Sequence, residues 1–414
     1  MQPSLSIRSD TYEKVPDFLN FKLFMKNLNK NKYQALIGGH AAAEAMRQIN
    51  PEVVAAYPIT PQTPIIEKFA EFAADKKVDT EFICAESEHS ALSATVGASA
   101  AGVRAMTATS SQGLALMNEI LSVASGLRLP IVMPMVNRAL SAPINIHCDH
   151  SDSMSARDLG WIQIFCETAQ EVYEYTFFAL KLAEKVLLPA MVMQDGFSTS
   201  HNVEPVKIYP DKIIKKFIGQ YKPKYSLLDI KKPITVGPLV LPDYYFEIKY
   251  QEIEAMEEAR KVYLETGKEL KKITGNNYPY FEKYKLDDAE AAIVVSSSSA
   301  GTAKAVIDKL RKEGKKVGLL KPILFRPFPQ KEIRESLKNL KIIAVLDRSV
   351  SFGGEAPLFS EIKNSLYPLD KKPLLQSYVF GLGGRDLFEQ EVEEVFEELL
   401  KNKTGQVKYI GLRK

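Results

Sequence analysis

Short apolar runs alternating with helical patterns, from Gln34 to Phe197, restrict this chain more than any other feature. Val53–Tyr57, Glu81–Cys84, Arg104–Thr109, Ile131–Val136, Trp161–Cys166 and Ala190–Gln194 each read as a short buried strand. Between them, His40–Ile49, Thr63–Ala74, a run from Ser90, Ser110–Leu127 and Gln170–Leu188 place apolar residues at helical spacing. Apolar strands alternating with helices predict an α/β fold, a mainly parallel sheet covered on both faces. Ligands of such sheets sit beyond the carboxyl ends of the strands. The residues just after each strand are therefore the candidates for chemistry.

The rhythm breaks in a Pro- and Lys-containing segment from Asn202 to about Asp243, and Tyr245–Thr274 then reads as one long charged helix, solvated or facing another subunit. A second α/β unit begins near Asp288, with strands at Ala291–Val295, Val317–Leu320, Ile342–Leu346 and Leu374–Phe380. Helices are predicted at Gly301–Glu313 and near Lys331, Pro357 and Glu389. The expected division is an N-terminal extension at 1–33, a first α/β domain at 34–243, a helical linker at 244–287 and a second α/β domain at 288–414. Phe18–Met25, inside the extension, has the pattern of a short amphipathic helix.

Composition removes several classes of function. A net charge of +3 on 414 residues, without a basic-aromatic stripe, argues against nucleic acid and anionic membranes. No apolar run approaches the roughly 20 residues that span a bilayer, and the first thirty-odd residues lack the apolar centre of a signal peptide. Cys84, Cys148 and Cys166 are too scattered for a disulfide framework or an iron–sulfur cluster of their own, which suits a reduced, cytoplasmic chain.

Polar groups follow each predicted strand of the first unit. Glu86 and Glu88 stand where a strand gives way to a helix, and acids are favoured in a first helical turn whatever else they do. In Tyr57-Pro58-Ile59-Thr60-Pro61 two prolines stiffen the backbone around a threonine, either to present its hydroxyl or simply to turn the chain. Arg138 opens a long loop and can clamp a carboxylate with two parallel hydrogen bonds, or pair at the surface with Asp149 or Asp152. Thr109-Ser110-Ser111-Gln112-Gly113 suits an anion at a helix start, although an N-cap serine is the commoner use. His147, Cys148, Asp149, His150 and Asp152 fit no zinc spacing, so no metal is assigned and the loop is expected to pack over a cleft. Ser296–Ser299 reads as helix capping without a P-loop, and Gly381-Leu382-Gly383-Gly384-Arg385-Asp386 lacks the order of a dinucleotide fingerprint.

Taken together, these motifs carry a resemblance. Tyr57 to Thr63, Glu86-Ser87-Glu88-His89-Ser90-Ala91, Thr109 to Met117, Asn137-Arg138-Ala139 and Asp195-Gly196-Phe197 stand in the first half. Leu346-Asp347-Arg348, Ser351-Phe352-Gly353 and Gly381 to Asp386 continue it. The set, spread over roughly residues 35 to 390, resembles the α subunits of the pyruvate:ferredoxin oxidoreductase family. The resemblance implies a thiamine-diphosphate-binding, pyrimidine-type domain followed by a transketolase-C-terminal-like domain. It also implies a multi-subunit enzyme that decarboxylates a 2-oxo acid, pyruvate above all, transfers the acyl group to coenzyme A and reduces ferredoxin. Partner β, γ and δ subunits would hold the diphosphate with its Mg²⁺ and the 4Fe–4S clusters, within a dimer of hetero-oligomers. The chain agrees in lacking a G-D-G tract and a ferredoxin-type cysteine run.

Carried over by position, the resemblance makes Glu88 the acid that meets the aminopyrimidine nitrogen. A proton shared there favours the imino tautomer, whose exocyclic nitrogen acts as the base at the thiazolium carbon. It makes Thr60 and Arg138 the pair that holds the substrate carboxylate, and Glu86 a helix-start or supporting acid. The extension before Gln34 and the loop Ala142–Asp152 depart from the family pattern. Tyr57–Pro61 and Glu86–Ser90 equally suit the enzymes of branched-chain 2-oxo acids such as 2-oxoisovalerate. From a different class, a non-catalytic scaffold subunit would also carry such an interface.

Overall fold

A computed structural model describes residues 33–413. The expected extension, apart from Tyr33, and its Phe18–Met25 helix lie outside the described residues. The first part of the chain runs β1 (Tyr33–Ile37), α1 (Gly38–Ile49), β2 (Val53–Ala56), α2 (Thr63–Ala74), β3 (Glu81–Cys84), α3 (Glu88–Ala100), β4 (Ala105–Met106) and α4 (Ser111–Leu116). It continues with α5 (Asn118–Gly126), β5 (Val132–Asn137), α6 (Ser151–Ser155), β6 (Ile162–Phe165), α7 (Ala169–Val186), β7 (Ala190–Asp195), β8 (Val203–Lys207) and α8 (Asp211–Ile218). After α9 (Pro242–Thr274) come β9 (Phe281–Tyr284), β10 (Ala291–Val294), α10 (Ser299–Lys312), β11 (Val317–Pro322), β12 (Leu324–Arg326) and α11 (Gln330–Leu337). β13 (Ile342–Asp347), α12 (Pro357–Leu366), β14 (Leu374–Val379), α13 (Glu389–Leu400) and β15 (Lys408–Tyr409) complete it.

The first sheet has seven strands in the order β12-β6-β7-β5-β4-β2-β3. All its pairings are parallel except β12 on β6. Its central strands β5, β6 and β7 are buried throughout, as continuous apolar runs require. β3 differs from the expected buried strand: it is the sheet edge, and Glu81, Ile83 and Cys84 face outward. β4 is shorter than its apolar run. Pro134 of β5 has no N–H to offer Thr107, so pairing stops after Met106↔Val132 and resumes only at Thr109↔Met135. The second sheet, β15-β14-β13-β10-β11-β9, is parallel apart from β9.

Helices cover the first sheet as the pattern predicts. α1 brings Ala41, Ala42, Ala43 and Ala45 against α7, and these small side chains let the two helices approach closely. α7 is buried on nearly every side because α9 packs on its outer face through Ala259, Val262, Tyr263 and Leu270. The long charged helix is thus half core, while its first turns expose Tyr244, Tyr245 and Phe246. The Ser110–Leu127 pattern divides at Met117 into α4 and α5. A two-stranded antiparallel sheet, β1 on β8, arises within a segment that showed no strand rhythm. The sheets also trade strands: β9 precedes the second unit's predicted start yet joins its sheet, and β12 leaves the second unit to close the first. No helix of the described residues is long and apolar enough to cross a membrane.

Candidate active site

The carboxyl ends of β3, β2, β4, β5 and β7 lie side by side, and each has a polar group at or just beyond it. After β3, Ser87 caps α3 by accepting the Ser90 N–H at 3.2 Å. This fixes Glu88 as the first helical residue, 7% exposed. Its carboxyl makes no hydrogen bond among the described residues. It lies against Gly113, where an added Cβ would fall 2.8 Å from Glu88 Oε1 and 2.3 Å from Thr109 Oγ1. Gly113 is required here for closeness of approach. Glu86 is exposed and bonded to the Ser90 hydroxyl at 2.5 Å, a contact that lowers its pKa. It serves the helix start.

After β2, the Pro58–Pro61 turn is held by a side chain the sequence did not single out. Buried Gln62 accepts the Ile59 N–H at 3.2 Å and donates to the Ala108 carbonyl at 3.0 Å, tying the turn to the end of β4. Thr60 is exposed, and the group it turns to Arg138 is its backbone carbonyl, 2.8 Å from Nη1. After β4, the serine expected to cap does not. Ser110 Oγ, like Thr107 Oγ1 and Thr109 Oγ1, is buried without a partner among the described residues.

Arg138 follows β5 and is 6% exposed. Its side chain makes no surface pair with Asp149 or Asp152. Nε donates to the Asn145 carbonyl and Nη1 to the Thr60 carbonyl, both at 2.8 Å, and Nη2 has no partner among the described residues. Burial lowers its pKa, which the Asp152 charge only partly offsets. A buried guanidinium bonded to neutral carbonyls retains its affinity for an anion.

Asp152 organises this side of the site. Fully buried, it accepts the backbone N–H groups of Ser111 at 3.0 Å and Arg138 at 2.9 Å, the Asn137 amide at 2.9 Å and the Ser153 N–H at 2.7 Å. Burial pushes its pKa up to about 7 against the pull of those bonds. Ser111 sits at φ 47°, an uncommon region for serine, and donates through Oγ to the Ala139 carbonyl. A continuous line results, from Glu88 through Gly113 and Ser111 to Arg138 and Thr60.

Asp195, at the end of β7, joins the two sheets. His150 Nε2 lies 2.8 Å from one of its oxygens; the other accepts from Ser298 Oγ at 2.5 Å and Arg348 Nη1 at 3.0 Å. Burial opposes its charge, but His150 and Arg348 hold it well below the usual carboxylate range. Ser298 therefore reaches across to Asp195 instead of capping α10. Cys148, His150 and Asp195 come within 4.8 Å of one another, but the Arg348 cation on Asp195 and a thiol whose pKa burial raises make a poor cation site. On the segments that carry these groups, Tyr57, Ile83, Leu116, Ile144 and Ile146 stand exposed.

The family model described as "Pyruvate flavodoxin/ferredoxin oxidoreductase, thiamine diP-bdg" matches residues 44–268, and "Pyruvate:ferredoxin oxidoreductase core domain II" matches residues 289–392. The chain is 56% identical to pyruvate synthase subunit PorA of Thermotoga maritima over 92% of this chain and 98% of that one. The chain belongs to the pyruvate:ferredoxin oxidoreductase family. Other members of the family include the Pyrococcus abyssi PorA, 49% identical over 90% of this chain and 96% of that one. The ketoisovalerate oxidoreductase subunit VorA of the same organism is 47% identical over 88% of this chain and 92% of that one. Among solved structures, 2-oxoglutarate:ferredoxin oxidoreductase from Magnetococcus marinus shares the family fold at TM-score 0.71 and 20% identity, covering 89% of this chain and 66% of that one. A split-gene transketolase matches at TM-score 0.53 and 12% identity, over 89% of this chain and 99% of that one. A pyruvate:ferredoxin oxidoreductase site with an unbonded carboxyl, and a glycine where a side chain would crowd it, suits the aminopyrimidine ring of thiamine diphosphate. Of the groups that shape it, Gln62 and Gly113 had no individual role in the sequence reading, and the only individual role given to Asp152 was as a possible surface partner of Arg138.

Proposed function

We propose that the chain is the α subunit of a pyruvate:ferredoxin oxidoreductase, working in the cytoplasm with β, γ and δ partners on pyruvate, coenzyme A and ferredoxin. The observation that carries this reading is Glu88, a buried acid with no hydrogen bond among the described residues, set against Gly113 at the carboxyl edge of a parallel sheet. Thiamine diphosphate, shared with the β subunit, supplies the nucleophilic carbon and the electron sink for decarboxylation when bound. Glu88 holds the proton at the pyrimidine nitrogen. Arg138, aimed by the Thr60 and Asn145 carbonyls, takes the substrate carboxylate through Nη2, with the exposed Thr60 as the second member of the pair that holds it. Mg²⁺ and the 4Fe–4S clusters are assigned to partner subunits, and the assembly to a dimer of hetero-oligomers. Exposed apolar side chains on the segments that build the site suit a partner that completes it. Residues 34–243 are assigned as the pyrimidine-type domain, 244–287 as the arm and 288–414 as the transketolase-C-terminal-like domain.

Substrate choice follows from one assay. The reconstituted complex, with methyl viologen as acceptor, is expected to turn over pyruvate in preference to 2-oxoisovalerate, in line with 56% identity to a PorA against 47% to a VorA. The reverse preference would move the chain to the branched-chain enzymes. Arg138→Ala is expected to raise KM for the 2-oxo acid about 10- to 100-fold, the scale of a hydrogen bond to a charged group. KM for coenzyme A should hardly change, and the opposite pattern would remove the carboxylate assignment. Gly113→Ala places a methyl into the Glu88 side chain and Thr109 Oγ1. A loss of turnover of about 10²-fold is expected from such a displacement, with an unchanged circular dichroism spectrum; undiminished turnover would put Glu88 elsewhere.

A further inference from the structure

The loop that carries Arg138 is gripped from the second sheet at Asn145, Asp149 and His150, and of these Asn145 also bonds the Arg138 side chain. Asn145 gives its backbone carbonyl to Arg138 Nε at 2.8 Å and its side-chain Nδ2 to the Gly383 carbonyl at 3.0 Å, while its Oδ1 accepts the His147 N–H at 2.7 Å. The Gly383 N–H goes to the Asp149 carboxylate at 3.1 Å, so both backbone polar groups of Gly383, in successive peptides of the Leu382–Gly384 turn, are held by the same loop. Only glycines allow this approach. A Cβ on Gly383, at φ 63°, would fall 2.5 Å from Asn145 Nδ2, and one on Gly384, at φ 84°, would fall 2.2 Å from His147 Cβ.

We propose that Asn145 is a positioning residue for Arg138, through which the glycine turn of the second sheet sets the angle of the guanidinium at the substrate. The planar fork is fixed by two acceptors, the carbonyls of Thr60 and Asn145. One comes from the first sheet's own turn; the other is anchored to the second sheet. A shift of the glycine turn therefore rotates Nη2. Asn145 is half-buried, and losing its amide opens no core.

This inference rests on the reading of Arg138 as the holder of the substrate carboxylate, and the test separates the two. In the assembled complex, Asn145→Ala and Gly383→Ala are each measured alone and in the Arg138→Ala background, with KM for pyruvate, KM for coenzyme A and the thermal midpoint as readouts. Each variant alone is expected to raise KM for pyruvate about three- to tenfold, leaving KM for coenzyme A in place; the midpoint holds for Asn145→Ala and falls for Gly383→Ala, whose positive φ strains a side chain in either background. In the Arg138→Ala background neither should add anything to KM for pyruvate, because the group being aimed is gone. Equal increases in both backgrounds would overturn the proposal, as would no increase from either variant while Arg138→Ala alone raises KM. Should Arg138→Ala leave KM for pyruvate unchanged, the carboxylate reading itself fails and this one with it.

Discussion

Glu88→Gln is expected to leave the complex assembled and folded while lowering thiamine-dependent turnover by about 10²- to 10⁴-fold, the range of a lost acid–base group. The substitution keeps shape and removes only the ability to hold a proton at an acceptor nitrogen. Few such acids in a folded chain can be changed so cleanly. Most buried carboxylates here, Asp152 and Asp195 among them, accept several hydrogen bonds whose loss would disturb the fold. Glu88 accepts none within the described residues, so the amide leaves no donor in the chain unpaired. Turnover with pyruvate and methyl viologen, beside gel filtration and thermal unfolding of the same preparation, checks it. Unchanged turnover in an intact complex would favour the scaffold reading.

Lys321→Met carries the largest expected effect on stability. Lys321 is 1% exposed and its ammonium lies 2.6 Å from Glu167, 2.8 Å from Glu171 and 3.1 Å from Glu282. Lys304 adds a second cation, 2.9 Å from both Glu167 and Glu282. Methionine fills similar volume but leaves three carboxylates around a single ammonium, a cost of about 3–5 kcal/mol. A matching shift in the chemical denaturation midpoint is expected, and a shift of under about 1 kcal/mol would mean that water enters the cluster. The sign with pH follows from the same charges. Burial works against the Lys321 charge, but Glu171 and Glu167 raise its pKa beyond the ordinary lysine value. Its stabilisation is therefore fully present below the unfolded value of about 10.4 and is lost only as the pH climbs through the higher folded value. Glu282 is also desolvated, but Lys304 and Lys321 lower its pKa. Its share is present above the unfolded value near 4.3 and disappears as the pH falls through the folded one. The cluster loosens in acid.

What the sequence revealed and what it hid divide by distance along the chain. Strand and helix periodicity and the acids at the start of the helix after β3 are local, and reading neighbours was enough to find them. Glu88, Thr60 and Arg138 stood out as candidates because each follows a strand, and strand ends converge in parallel sheets; their roles came only with the family resemblance. The capping expected of Ser110 and Ser298 failed in different ways, and Ser110 Oγ is simply buried without a partner among the described residues. The strongest partner of Ser298 was a charged group more than a hundred residues away, and local pattern cannot weigh such competition. Asp152 looked like one polar residue among several in a loop; its role appears only when the starts of α4 and that loop are folded against β5. β3 looked buried because its apolar content is ordinary, and only the strand order leaves it on the rim.

The exchange of β9 and β12 between the sheets has a consequence for how this molecule can be dismantled. A gene fission between residues 284 and 291 would hand each product an unfilled seam, since one fragment would take away a strand the other needs and leave its own behind. Two separately expressed halves should stick to each other, or to copies of themselves, before they behave as independent bodies. Large hinge motion between the halves is closed off for the same reason. Any opening of the site during turnover must then come from the polypeptides that surround this one.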